Sequence, residues 1–227
     1  MKTFRAFTMI ELIFIIVVVG ILAAVAIPRV ERNGLIEAAD QLASHIRYTQ
    51  QLAMGDNKFN ATDPNWHRKG WRIQFGVEGQ GANARIVPRY FIFADTTPVA
   101  NPDGNPQVNE YAVDPMNPAK LLTSAGNGTT KAQQNKKLNL ANTYSITNIA
   151  FGGGCANQNH IMFDFKGRPM AVNANLYGGL YTATCTITLT NDAGETAVIF
   201  VQPETGYVGA TATDNPAGGD ILYTFNN

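Results

Sequence analysis

The amino-acid sequence predicts an α+β protein in which a long N-terminal helical spine packs on an antiparallel β-domain. Residues 7–27 form an apolar run interrupted only by one threonine and one glutamate. Residues 30–55 then continue with the 3–4 spacing of an amphipathic helix. From residue 71 onward the period changes to the alternation of apolar and polar side chains that is typical of strands facing a core.

The composition argues against several classes of function. The 227-residue chain has 17 basic and 17 acidic residues, and charged residues make up 15% of it, against roughly a quarter in typical soluble domains. This balance gives no electrostatic case for nucleic acid as a partner. The three histidines lie far apart, and no nucleophile, phosphate-binding or dinucleotide motif is present. We expect no enzyme, no catalytic residue, no cofactor and no metal site.

The apolar N-terminal segment is long enough to cross a bilayer, because a helix rises about 1.5 Å per residue and the hydrocarbon core is about 30 Å thick. Three interpretations are open. The segment is a secretory signal cut after Ala26, a membrane anchor that is never cut, or a leader cut between Ala6 and Phe7 that leaves the apolar run on the mature chain.

Glu11 favours the third interpretation. A carboxylate inside an apolar membrane helix costs about 2.5–3.5 kcal/mol on insertion scales, so a plain signal or anchor gains nothing from it. Type IV prepilins and type II secretion pseudopilins have an N-terminus that resembles the sequence KTFRAFTMIEL of this chain. The matching residues follow a short basic leader at the family's spacing, and they are Phe7, Thr8, Ile10, Glu11 and Leu12.

The resemblance implies processing by a prepilin peptidase, which would remove the leader, residues 1–6. The cut would fall between Ala6 and Phe7, and the new terminus at Phe7 would be N-methylated. Ala6 stands where the family usually has glycine. Residues 7–29 would then form a transmembrane and filament-core helix.

Within that helix, the resemblance assigns assembly to Thr8 and Glu11, with the carboxylate neutralising the terminal amine of a neighbouring subunit. Two charges that are each costly in lipid become tolerable as a pair. Gly20 and Pro28 fall where pilins place helix-weakening residues. We expect a kink there, since proline lacks the amide donor and crowds the preceding turn.

Residues 30–55 are expected to be the amphipathic half of the spine, and residues 56–227 a β-rich periplasmic domain. Within it, the polar segment 94–137 is expected to be a surface loop insertion and residues 209–227 a loose tail. The pattern from His160 onward resembles the β-domain of H-type minor pseudopilins and related minor pilins, giving a pilin-like fold. The strands are predicted at 71–75, 85–93, 144–151, 160–165, 169–173, 183–190 and 196–202.

Cys155 and Cys185 are the two cysteines of the chain. Behind an export-like segment they predict one disulfide, the alternative being two unpaired buried thiols.

Two weaker signals in the sequence concern the binding of ligands. The acidic loops 103–105 and 214–220 offer oxygen atoms of the kind that calcium takes, although without the ordered spacing of a calcium loop.

The second weak signal is a mixture of cations and aromatic rings, as on surfaces that bind single-stranded nucleic acid. Its residues are Trp66, Arg68, Lys69, Trp71 and Arg72. The alternative is a turn leading into a strand whose Trp71 packs inward. Because the overall charge balance gives no support, we do not expect nucleic acid as a partner.

Together these observations predict a minor pseudopilin of a type II secretion system, anchored by a single pass in the inner membrane before it enters a filament. Its partners would be other pilin or pseudopilin subunits, the prepilin peptidase, the inner-membrane assembly platform and, before assembly, membrane lipid. One alternative is a minor pilin of a type IV pilus, including a DNA-uptake pilin. Another is a secreted β-rich binding protein cut after Ala26.

Overall fold

The computed structural model describes residues 8–26, 34–79, 84–96, 102–172, 175 and 178–213. The chain divides into two compact units, residues 1–33 and 34–227. In the described part of the first unit there is one helix, α1 (Met9–Ala26). The second unit is a β-rich domain.

The second unit contains two α-helices and ten strands in its described ranges. The helices are α2 (Gly34–Gly55) and α3 (Leu140–Tyr144). The strands are β1 (Trp71–Glu78), β2 (Arg85–Ala94), β3 (Val113–Asp114), β4 (Asn117–Leu121), β5 (Ile146–Gly153), β6 (His160–Phe163), β7 (Pro169–Met170), β8 (Cys185–Asn191), β9 (Thr196–Val201) and β10 (Val208–Thr213). They form two antiparallel four-stranded sheets, ordered β2-β1-β6-β7 and β10-β9-β8-β5, and the small hairpin β3-β4.

Helix α2 contacts strands of both four-stranded sheets through one face. Its buried residues recur at helical spacing and are Leu35, Ala38, Ala39, Leu42, Ala43, Ile46, Thr49 and Ala53. Glu37, Asp40 and Ser44 on the other face are exposed. Burial of a leucine or isoleucine side chain stabilises a fold by about 1.5–3 kcal/mol. The apolar stripe therefore places α2 in the core of the second unit.

The sheets follow the alternation in the sequence. Ile73 and Phe75 of β1 and Tyr90 and Ile92 of β2 are fully buried on the face toward the core. Pro88 lies in β2, an outer strand of its sheet, which is where a residue without an amide donor is tolerated.

The segment 94–137 is built onto the free side of β2. Ile92 donates a backbone hydrogen bond to Leu122 and accepts one from Ala112. Both partners are buried, with 0% of Leu122 and 2% of Ala112 exposed.

At the other end of the chain, β10 pairs with β9 along its whole length. This strand covers the start of the predicted tail. The later part of the tail, residues 214–227, lies outside the described residues.

The predicted fold class is wrong, because the described residues contain no continuous N-terminal helical spine. The protein is mostly antiparallel β-sheet with shorter helices. Helix α1 ends at Ala26 and α2 begins at Gly34. The sequence supplies a reason, since a proline at position 28 disfavours helical geometry in the residue before it, and helices usually end at or before that residue.

The predicted membrane-spanning segment is also corrected. No helix in the described ranges is both long and apolar enough to cross a membrane. The predicted transmembrane helix at 7–29 and the single-pass inner-membrane location are therefore contradicted.

The predicted disulfide is confirmed. Cys155 and Cys185 are bonded, with their Cα atoms 4.9 Å apart and a sequence separation of 30. The bond lies where the turn after β5 meets the start of β8, next to the backbone pair Gly153 and Cys185. A loop of this length stabilises a fold by about 3–4 kcal/mol in the chain-entropy model.

A buried ion pair links the first sheet to the segment after β2. The guanidinium of Arg72 in β1 donates to Asp95, and only 3% and 0% of the two residues are exposed. The cation also lies 4.5 Å from the ring centroid of Phe93. The same oxygen of Asp95 accepts from the backbone N–H of Gly104 at 2.7 Å. Asp95 thus binds both a strand and a loop.

Replacing Asp95 with asparagine is expected to lower the free energy of unfolding by about 3–5 kcal/mol, since it leaves the cation of Arg72 buried without its counter-ion. Urea denaturation measures the change. The matched control is Glu78→Gln, which breaks the exposed pair between Glu78 and Arg85 and should cost no more than about 1 kcal/mol. Equal losses in the two variants would contradict the importance of the buried pair.

Candidate functional site

Apart from Glu11 near its start, the described side chains of α1 are apolar on every face of the helix. The large apolar side chains from Met9 to Leu22 are between 37% and 83% exposed. An apolar stripe on one face is what a surface helix normally carries, whereas a helix apolar on every face is one that becomes buried. Monomeric soluble proteins rarely expose an apolar surface of this extent, and such surfaces mark interaction sites. This surface, Met9 to Leu22, is called the α1 surface below.

At the start of α1, Thr8 and Glu11 bind each other. The carboxylate of Glu11 accepts from the backbone N–H and the hydroxyl of Thr8, and the backbone N–H of Glu11 donates to that hydroxyl, each at 3.4 Å. This is the reciprocal pattern of a capping box, in which a threonine and a glutamate three residues later satisfy the free amides of the first turn. Glu11 therefore has a local role besides the pairing that the resemblance implies, and its spacing from Thr8 is the sequence signal for that role.

The remaining predicted residues of the N-terminal segment are placed only in part. Gly20 lies inside α1, which is helical on both sides of it. The predicted cleavage and methylation residues Ala6 and Phe7, and the second kink residue Pro28, lie outside the described residues.

The predicted nucleic-acid patch is not an open cationic surface. Lys69 is 7% exposed and paired with Asp63, and Arg72 is held by Asp95. The indole N–H of Trp71 donates to Asp56 at 2.8 Å. Two cations are therefore neutralised by carboxylates of the same chain.

The other two members of that patch lie in a short 3₁₀ turn, Trp66–Arg68. Trp66 packs edge-on against Phe59, with 5.2 Å between the ring centroids, and both Trp66 and Arg68 are half-buried. The stacked, accessible rings that bind single-stranded nucleic acid are not what this turn presents.

The weak calcium signal at 103–105 corresponds to a tight turn. A carboxylate oxygen of Asp103 accepts from the N–H of Asn105 at 2.8 Å, and Gly104 binds Asp95. In the part of the chain that the structure describes, no group of three or more histidine, cysteine, aspartate or glutamate side chains is placed to hold a metal ion. The second acidic loop, 214–220, lies outside the described residues.

A buried polar network joins α2 to β2 and α3. Gln41 donates to the hydroxyl of Tyr90 at 2.9 Å and accepts from that of Tyr144 at 2.8 Å. Tyr90, fully buried, lies 2.7 Å from Nδ1 of His45. Because Gln41 donates to the Tyr90 oxygen, the Tyr90 proton is free to bind the neutral imidazole of His45.

Two histidines are kept neutral by their surroundings. Burial lowers the pKa of His45 to about 4, against the opposing charge of Asp114. Burial also lowers the pKa of His160 to about 4, and the nearby cation Arg72 adds to that effect. The Nε2 atom of His160 accepts from the N–H of Val172 at 3.0 Å, which requires the unprotonated nitrogen.

A groove of about 740 Å³ lies over the outer face of β1 and β2. Ligand pockets in proteins span roughly 300–1,000 Å³. Along each strand, the residues that form the floor of the groove alternate with residues buried in the core. The floor residues are Gln74, Gly76, Arg89 and Phe91. We call this concavity the β1–β2 groove. Its walls are Asp103 to Gln107, Tyr111, Ala125, Asn127 and Asn159.

Two buried carboxylates hold one wall of the β1–β2 groove. Asp95 binds the N–H of Gly104. Glu110, which is 3% exposed, accepts from the N–H and hydroxyl of Thr96 and from the N–H of Gln107. The sequence pattern does not predict the groove, because its wall depends on these contacts between distant positions. The alternation of side chains along β1 and β2 is visible in the sequence, and it predicts which residues form the floor of the groove.

Comparison of the chain with protein-family models, with curated proteins and with solved structures gave no match.

The buried histidines predict a loss of stability in weak acid. The unfolded chain binds protons on histidine below about pH 6.5, whereas the folded chain does so only near pH 4. The free energy of unfolding should therefore fall as the pH is lowered from about 6.5 to about 4. Denaturant titrations across this range measure it, and His45→Gln or His160→Gln should each flatten the curve. Parallel curves for the wild type and both variants would contradict the assignment.

Proposed function

We propose that this chain is a structural subunit of a filament, namely a minor pseudopilin of a type II secretion system, with no catalytic role of its own. It would be processed between Ala6 and Phe7 by a prepilin peptidase and methylated at Phe7. Its partners would be other pilin or pseudopilin subunits and the assembly platform of the secretion machine. The filament would then drive protein export.

The observation that carries the proposal is the α1 surface. Its apolar side chains are exposed on every face of the helix, and burying them against equivalent helices of neighbouring copies would stabilise an assembly by roughly 25 cal/mol for each Å² removed from water. Helices that bury such surfaces against one another can form the core of a helical filament. The β-rich unit is the kind of globular domain that a pseudopilin subunit is expected to carry.

Glu11 provides the polar part of the proposed contact. Its side chain is exposed near the start of α1 and is held toward Thr8 by long hydrogen bonds of 3.4 Å. A carboxylate that is lightly held in the free subunit can accept a stronger partner in the assembly. The terminal amine of a neighbouring subunit is the cation that the proposal supplies, and a buried pair satisfies both charges.

The disulfide supports export of the β-rich unit. Bonds such as Cys155–Cys185 form and persist in oxidising compartments and are rare in the cytosol. A pseudopilin whose globular domain leaves the cytosol would meet that condition.

Mass spectrometry of the mature N-terminus tests the proposal directly. The full chain is expressed in a Gram-negative host with and without a prepilin peptidase. We expect a methylated terminus at Phe7 that depends on the peptidase. A terminus at Ile27 would overturn the proposal, because it would mean that the apolar segment is removed, and so would an uncut chain in the presence of the peptidase.

Two substitutions separate the capping role of Glu11 from pairing between subunits. Glutamine retains the capping box, so Glu11→Gln removes only the charge, whereas Thr8→Ala removes the cap and keeps the charge. We expect the first to reduce incorporation into sheared filaments by more than about tenfold, because a buried amine would lose its counter-ion. The second should have the smaller effect, since a lost cap costs about 1 kcal/mol.

The control is Asp192→Asn, which removes an exposed carboxylate in the turn between β8 and β9. It should assemble like the wild type. Normal incorporation of Glu11→Gln would refute the pairing between subunits and leave Glu11 as a helix cap.

A further inference from the structure

We propose that the β1–β2 groove binds an acidic saccharide, with Arg89 contacting the sugar carboxylate. This would be a second activity of the β-rich unit, and it does not depend on filament assembly. The groove is large enough for several sugar rings, at about 740 Å³. It lies on the outer face of a sheet whose other face is in the core.

Arg89 is the cation of the groove. Among the described residues, no side-chain hydrogen bond or ion pair engages its guanidinium, although the residue is half-buried. The neighbouring position in β1 is Gly76, where an added Cβ would lie 2.8 Å from Nε of Arg89. The absence of a side chain there makes room for the guanidinium to lie across the floor of the groove. A planar guanidinium binds carboxylates through two parallel hydrogen bonds.

The remaining polar groups of the groove suit hydroxyls. The lining includes the amide side chains Gln74, Asn105, Gln107, Asn127 and Asn159. Gln74, Gln107 and Asn159 each donate one hydrogen bond within the chain. An amide carries two donor hydrogens and an acceptor oxygen, so each of these side chains keeps a donor hydrogen for a sugar hydroxyl. Asp103, on the wall, adds a carboxylate that can accept from a hydroxyl.

Aromatic rings provide the apolar part of the groove. Phe91 of the floor packs edge-on against Tyr111 of the wall, with 6.3 Å between the ring centroids. Phe91 is half-buried and lines the groove, so it offers an apolar patch among polar neighbours. The C–H faces of sugar rings match such a patch, while the hydroxyls around their edges match the amides.

The wall is fixed before any ligand binds. Gly104 is held to Asp95, and Gln107 to Glu110, by hydrogen bonds of 2.7 Å each. Both carboxylates are buried and bind several donors of the same chain. A groove that is already shaped costs less conformational entropy on binding.

A peptide ligand fits the groove less well than a saccharide. Peptides that bind along a sheet usually add to a free edge through backbone hydrogen bonds. The groove instead covers the face of β1 and β2, and β1 is paired on both sides by β2 and β6. Side-chain amides and one cation are what the face offers, and these favour hydroxyls and a carboxylate.

The test is a calorimetric titration of the full chain in mild detergent with three probes. These are a galacturonate tetrasaccharide, the neutral galactose tetrasaccharide and a tetraglutamate peptide. We expect saturable binding of the galacturonate, at least about tenfold weaker binding of the neutral sugar, and no tighter binding of the peptide. Absence of saturable galacturonate binding, equal binding of both sugars, or preference for the peptide would each overturn the proposal.

Variants connect the binding to the groove. Arg89→Gln should weaken galacturonate binding by at least about tenfold, and Asn127→Ala, at an exposed position of the wall, should weaken it by a smaller factor. The control is Arg85→Gln, which removes an exposed cation of the same strand that does not line the groove. Thermal unfolding of each variant verifies folding. Unchanged affinity in folded Arg89→Gln, or an equal loss in Arg85→Gln, would refute the assigned role.

Discussion

The buried ion pair between Arg72 and Asp95 is the constraint on which the arrangement of the β-rich unit depends. Two charges removed from water are tolerable only when each is satisfied by the other and by additional donors. One carboxylate oxygen of Asp95 accepts from both Arg72 and Gly104, which holds the chain after β2 over the sheet. In the described part of the chain, the other oxygen of Asp95 and Nε of Arg72 are buried without a hydrogen-bond partner. Glu110, fifteen residues further along the chain, likewise accepts from donors of the same segment, the backbone N–H groups of Thr96 and Gln107. These contacts fix the position of the polar segment 94–137, which is rich in glycine and proline. Part of that segment forms the wall of the β1–β2 groove.

The same two carboxylates explain the limits of inference from sequence. Alternation along β1 and β2 identified the strands and their buried residues, because period and burial are local properties of a strand. The disulfide followed from the presence of only two cysteines. The contacts of Asp95 and Glu110 join positions that no periodicity relates, so the segment 94–137 could be described only as polar. The β1–β2 groove, built between that segment and the sheet, was invisible for the same reason.

The first unit shows the opposite error, in which a local signal was over-extended. A long apolar run followed directly by an amphipathic run predicts one helix with a kink at Pro28. Periodicity does not report where a helix ends, whereas Pro28 in the sequence gives a reason for α1 to end at Ala26. Glu11 was interpreted entirely through a distant partner, although its spacing from Thr8 also defines a capping box. The two roles are compatible, since a weakly held carboxylate can exchange one partner for another.

The position of the disulfide has a mechanical consequence. The bond joins Cys155 and Cys185, and the 30-residue interval between them contains β6 and β7 of the first sheet, while β5 and β8 on either side belong to the second. Tension applied to the two ends of the β-rich unit would pass through the sulfur atoms and bypass that interval. The two strands would stay attached to the rest of the unit after backbone hydrogen bonds elsewhere had separated, and the unfolded length would be shorter by the enclosed loop. A chain of this design resists extension most strongly in the loop that the disulfide closes, which holds two strands of the first sheet between two strands of the second.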